Sequence, residues 1–132
     1  MRAFCIGIGL IALLGCGHEQ GAAEFVVRVG QERFVVRIMS PDQIETARQI
    51  LAGRLSQRII SGELRAGDGG FNRDPQTGRR WSWHLDPQTV VFAEVAIELC
   101  DGLPSHVEAN LPYWLGTVRR FCPWSAFVER EL

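Results

Sequence analysis

The chain has no lysine: all fourteen of its basic residues are arginine. Every positive charge is therefore permanent and able to make forked contacts with carboxylates. Fifteen acidic residues bring the formal charge to −1, which leaves no basic footprint for nucleic acid. The basic doublets Arg79-Arg80 and Arg119-Arg120 read as solvated strand ends rather than phosphate clamps. No apolar run reaches the roughly 20 residues that span a membrane. The catalytic signatures HExxH and GxSxG and the redox signature CxxC are also missing, and His106 is too close to Ser105 along the chain for that adjacency to imply a triad.

What is present begins at the amino terminus. Met1-Arg2 is a short cationic region, and Ala3 to Leu14 is an unbroken apolar run with the length of a signal-peptide core. Leu13-Leu14-Gly15-Cys16 resembles the bacterial lipobox, in which cleavage before the cysteine leaves a thiol that carries diacylglycerol. The reading is a lipoprotein signal over residues 1–15, then lipidated Cys16 and a polar tether over 16–23. The alternative is ordinary cleavage near Ala22-Ala23, with Cys16 discarded. Lipid chains contribute about 0.8 kcal/mol per buried methylene, so a multiply acylated cysteine anchors stably. Gly17, rather than an acidic residue, points to the outer membrane in a two-membrane bacterium, facing the periplasm or the cell surface.

Residues 24–132 are enough for one domain with its own core. With Cys5 in the signal and Cys16 at the anchor, Cys100 and Cys122 remain as a pair in an exported chain. A disulfide between them is expected, contributing about 3 kcal/mol in a chain-entropy account. Two thiols without further ligands make a poor zinc site.

Phe25 to Val29 and Phe34 to Ile38 read as a hairpin of two strands. Ser40-Pro41-Asp42-Gln43 has the N-cap serine, first-turn proline and third-position glutamine of a capped helix start. The helix runs to about Gly53, with Ile44, Ala47, Ile50 and Leu51 as its apolar stripe. Ile59 to Arg65 is a third strand. Ala66 to Gly78 reads as a flexible connection, because Gly70, Arg73 and Arg79 occupy positions where a calcium loop needs a ligand, the turn glycine and the bidentate glutamate.

Residues 79–87, RRWSWHLDP, raise the sharpest question of site against core. Trp81 to Leu85 has strand character, Asp86-Pro87 signals a turn, and Val91, Ala93, Val95, Ile97 and Leu99 alternate along Val90 to Cys100. A hairpin with a long second strand is expected, placing Trp81 and Trp83 on the apolar face opposite Ala93 and Val91. Ser82 and His84 then lie on the other face, with Arg80 opposite Glu94. That parity makes Arg80, Ser82, His84, Glu94 and Glu98 the ligand-binding candidates. Glu94 and Glu98 lie about 13 Å apart on a strand, beyond the roughly 5 to 9.5 Å of glycosidase carboxylate pairs. No catalytic residue and no metal or other cofactor is assigned.

After Cys100, Leu103 to Glu108 starts a second helix, Tyr113-Trp114 adds aromatic bulk, and Val118 to Phe121 returns as a short strand. Ser125 to Leu132 is a closing segment with a helical turn. The fold class expected is α+β: a single domain with an antiparallel sheet of about four to six strands, one long helix and one or two short ones.

Phe34 with Ser40-Pro41-Asp42, Gly53, Ile60 with Gly62, Asn72, WSWHLDP, FAEVAIELCDGLPSHVE, Trp114 and FCPWS together resemble the amino-terminal domain family named after a slime-mould calmodulin-binding BP-type protein. The resemblance covers roughly residues 24–131. It implies a small α+β domain of secreted bacterial and fungal proteins, with no settled activity to carry over. Calmodulin is not an expected partner, because an exported bacterial lipoprotein does not meet it.

The functional expectation is a lipid-anchored module of the bacterial cell envelope. It would touch the membrane through Cys16 and bind an envelope protein or small ligand, but no nucleic acid. Two rivals stand beside it. One is a metal-assisted hydrolase using His84 with Glu94 and Glu98, and the other a protease inhibitor presenting loop 67–80.

Overall fold

Gly30 takes φ 63°, the left-handed backbone that a tight turn needs and that glycine adopts without penalty. It joins β1 (Ala23–Val29) to β2 (Glu32–Ile38), antiparallel from Val29↔Glu32 to Ala23↔Ile38. The computed structural model describes residues 21–132. The expected signal, Cys16 and most of the tether lie outside the described residues. Among the described residues no helix is long and apolar enough to cross a membrane.

Helix α1 (Pro41–Leu51) starts as its sequence predicts, with the Ser40 Oγ accepting from Gln43 N at 3.5 Å. The capping box does not close, because Gln43 Oε1 accepts instead from Phe92 N at 2.9 Å and so ties the helix to a strand. Ile44, Ala47 and Ile50 are buried, while Leu51, assigned to the same stripe, is exposed.

The remaining strands are β3 (Ile59–Ala66), β4 (Trp83–Leu85), β5 (Val91–Ala93), β6 (Arg120–Phe121) and β7 (Ala126–Glu131). They form two antiparallel sheets: β2-β1-β7, and β3 with β4, β5 and β6 all paired to it. With the helices this is an α+β domain, mostly sheet. Its short helices are α2 (Pro104–Ala109) and α3 (Leu111–Tyr113), the latter continuing into a π-helical turn over Trp114–Val118.

Three expectations are corrected. Strands β4 and β5 do not form a hairpin: β4 pairs Leu64 to Ala66 and β5 pairs Ile59 to Ser61, so the segment runs along β3 instead of folding back. The Asp86 turn sits between them as an interruption, with Glu63 O accepting from Asp86 N at 2.8 Å and Glu63 N donating to Thr89 Oγ1 at 2.9 Å. The long strand Val90 to Cys100 shrinks to β5 because β3 begins at Ile59, which faces Ala93, and nothing remains for later residues to pair with. The closing segment is a strand, β7, with Val29↔Ala126 and Phe25↔Glu131. It supplies partners for the backbone groups of β1 that β2 does not face.

The core lies where the two sheets meet. Trp83 of β4 packs on Phe34 of β2 at 5.4 Å and on Phe121 of β6 at 5.3 Å between ring centroids, and Trp114 reaches Phe121 at 5.9 Å. These tilted and edge-on geometries suit the ring quadrupoles. Cys100 and Cys122 form the expected disulfide.

Candidate functional site

The Trp81–Leu85 segment divides by parity as expected. Trp81, Trp83 and Leu85 are buried, Ser82 is exposed and His84 is half-buried. The outward side chains are nonetheless engaged within the domain. Ser82 N and Oγ both donate to the Glu108 carboxylate, at 2.8 and 2.7 Å. Arg80 bonds Asp68 at 2.7 Å, not Glu94. His84 Nδ1 lies 2.8 Å from Gly67 O, so that nitrogen carries the proton, since a carbonyl only accepts. The imidazole also meets the edge of Phe71 at 5.4 Å.

The glycine-rich loop is pinned, not flexible. Asn72 is fully buried, its Oδ1 accepting from Val35 N at 2.9 Å and its Nδ2 donating to Trp83 O at 2.7 Å. At Gly69, φ is +65° and an added Cβ would lie 2.7 Å from the His84 ring, so only glycine fits beneath that imidazole. Asp68 receives Gly70 N at 2.8 Å and Arg80 beside it. Those two donors, the backbone amide first, hold its carboxyl below the usual carboxylate range. Arg79 stacks over Trp81 at 4.8 Å. Arg80 thus closes the loop on itself through Asp68, while Arg79 lies against the Trp81 ring.

Glu94 and Glu98 belong to another neighbourhood. Glu94 is exposed and faces Arg58 at 3.6 Å, and Glu98 opens a 3-10 turn over Glu98–Cys100. Among the described residues no group of three His, Cys, Asp or Glu side chains could hold a metal ion. Ser105 and His106 are also spoken for. Glu32 accepts from Ser105 N and Oγ at 2.8 and 2.6 Å, and His106 Nδ1 accepts from Leu103 N at 3.1 Å, so both serve the start of α2.

The feature that sequence reasoning placed inside is outside. Past Ala93 the chain belongs to no strand up to the disulfide, and Val95, Ile97 and Leu99 are 82%, 67% and 54% exposed. Trp124, 46% exposed, brackets this segment: its indole Nε1 donates to Ile97 O at 3.3 Å and its backbone N to Asp101 Oδ1 at 2.8 Å. A cleft of about 510 Å³ opens beside it, between Gln57, Arg58 and Ile59 on one side and Glu94 and Trp124 on the other. Exposed apolar side chains gathered in one place mark contact surfaces more often than singly scattered ones do. The alternation of residues 91–99 was the available signal, but it names a face and not what covers it.

The family model of the BP-74 N-terminal domain matches residues 21–132, which is all of the described chain. No curated protein and no solved structure matches.

Proposed function

The chain belongs to the BP-74 N-terminal domain family, and we propose that it is an anchored binding module of the bacterial cell envelope. It is exported, held by lipid on Cys16, and engages an envelope protein through Val95, Ile97, Leu99 and Trp124. The observation that carries this reading is the disulfide-held segment with its exposed apolar side chains. The polar side chains that could have done chemistry are instead committed to turns, helix starts and loop closure.

The anchor geometry supports a protein partner. Cys16 to Ala23 extends at most about 25 Å, so the domain stays near the headgroups. The chain enters β1 at Ala23, beside the carboxy-terminal end of β7, where Leu132 N donates to Glu24 O. Trp124 precedes Ala126, which faces Val29 at the opposite end of β1, about 20 Å away along the strand. The apolar segment is thus at the end of the sheet remote from the tether.

A photo-crosslinking amino acid at position 95 or 97 of the full lipidated chain, in the producing cells, tests this. The expected result is a discrete adduct at both positions and none at a control position such as 54, exposed just past the end of α1. No adduct, or the same adducts at position 54, overturns the reading.

A further inference from the structure

A second cleft, of about 410 Å³, lies toward the other end of β3 and is lined by Glu63, Arg65, Leu115, Val118, Arg119 and Arg120. We propose that it is a binding site for a monoanionic carboxylate carried on a short apolar group. Its volume falls in the range of about 300 to 1,000 Å³ typical of small-ligand clefts.

Three observations lead there. First, Arg119 is, among the described residues, the one non-glycine residue with positive φ, at 65°, a conformation that side chains other than glycine adopt only at a cost. It ends the π-helical turn, donating its N–H to Trp114 O at 2.7 Å and accepting from Leu64 N at 3.0 Å. Both features gather at functional sites. A glycine would meet the backbone requirement, so an arginine here is accounted for by its side chain.

Second, the charges do not balance. Arg65 is shared between Glu63 and Asp86, each at 2.9 Å, and Arg120 Nε donates to Ser61 Oγ at 2.8 Å. Among the described residues the exposed Arg119 guanidinium has no hydrogen-bond or ionic partner. With Asp86, which holds Arg65 from outside the lining, three guanidiniums stand against two carboxylates, leaving one positive charge. That favours a monoanion over a phosphate dianion. Third, the wall formed by the π-helical turn presents half-buried Leu115 and Val118, which suits an apolar group attached to the carboxylate.

Two sources offer that chemistry, a free fatty acid and the carboxy terminus of a peptide ending in an apolar residue. Decanoate, an acetylated Leu-Leu dipeptide with a free carboxylate, its carboxamide, and inorganic phosphate would each be titrated into the protein, with binding followed by amide chemical shifts. At least one carboxylate probe is expected to bind and to shift Leu115, Val118 and Arg119, the stronger of the two identifying the source. The carboxamide and phosphate should not bind. Arg119→Gly is expected to weaken carboxylate binding about tenfold or more, in keeping with the strength of charge-assisted hydrogen bonds, while leaving the melting temperature unchanged or raised. A merely structural role, a cation at the carbonyl end of a helical turn, predicts the reverse: a lower melting temperature and unchanged binding. That result, binding of phosphate or the carboxamide as tight as that of the carboxylates, or no carboxylate binding at all, overturns the proposal.

Discussion

Residues 81–85 and 91–99 share the same period-two alternation of apolar residues and have opposite fates. Trp81, Trp83 and Leu85 are 3%, 0% and 0% exposed, whereas Val91, already 38% exposed, leads into Val95, Ile97 and Leu99, all in contact with solvent. The difference lies in what each segment runs against. Trp83 to Leu85 pair with β3 at Ala66 to Leu64, and Trp83 turns its indole onto Phe34 and Phe121. The second segment passes the first residue of β3 at Ile59 and leaves the sheet. Alternation sorts side chains onto two faces, but only a neighbouring element decides whether a face is covered.

The largest expected effect comes from breaking the covered face. Trp83→Ala should cost about 3 to 5 kcal/mol, a large part of a small domain's stability, as read from urea denaturation. Trp83→Phe should cost less than half of that. It keeps an aromatic ring against Phe34 and Phe121 and removes an indole N–H that is buried without a hydrogen-bond partner among the described residues. Equal losses for the two variants would mean that ring packing is not what holds the sheets together.

The same contrast shows what was legible in the sequence. The β1–β2 hairpin, the Ser40-Pro41 helix start, the tryptophan parity and the disulfide could be read because each rests on residues close in sequence or on a short list of cysteines. The partner of Trp83 to Leu85 could not, since pairing with β3 is a long-range choice among several strands of similar pattern. Strand β7 was obscured by its charged end, Glu129 to Glu131. That end makes sense only once Arg33 and Arg48 are seen to bond Glu129 and Glu131 at 2.8 and 2.7 Å. Asn72 looked like a loop residue, and its burial became visible only with the backbone groups of Val35 and Trp83 around it. Of the five candidate site residues, Arg80, Ser82 and His84 were correctly placed on the outward side, but their partners Asp68, Glu108 and Gly67 were not foreseeable from spacing.

Releasing the exposed segment is the next step down. Cys100 and Cys122 are 22 residues apart, and replacing both with serine should cost about 3 kcal/mol in the chain-entropy account. In the native state the change should be local: faster amide exchange over 94–101 and a freed Trp124, with the amides of β4 still protected. Loss of protection in β4 would show that the two regions unfold together and would erase the distinction drawn between them.

Acid should separate the regions from the other side. The Asp68 carboxyl is held below its usual range by Gly70 N–H and then by Arg80. A folded-state pKa below the unfolded one means that its stabilising contribution is complete above the ordinary Asp value of about 3.9 and is lost as the pH falls through the folded value. As the pH falls through that folded value the 67–80 loop should therefore loosen over Trp81. The signature is a change in tryptophan fluorescence that is absent from a Trp81→Phe variant. Asp68→Asn should remove that step, and its persistence would assign the acid transition to another carboxylate.

The smallest effect on stability belongs to the exposed segment itself. Ile97→Lys places a charge where an aliphatic side chain already faces water, so the unfolding free energy should stay within about 0.5 kcal/mol of the parent, as for surface substitutions in general. Crosslinking from position 95 should nevertheless fall sharply, because a desolvated lysine at a contact is costly in a way that a solvated one is not. A stability loss above about 1.5 kcal/mol would instead mean that Ile97 is covered within the domain, since buried aliphatic side chains lose amounts of that size when they are replaced. The two measurements on one variant thus test separately whether the alternation at 91–99 belongs to the fold or to a partner.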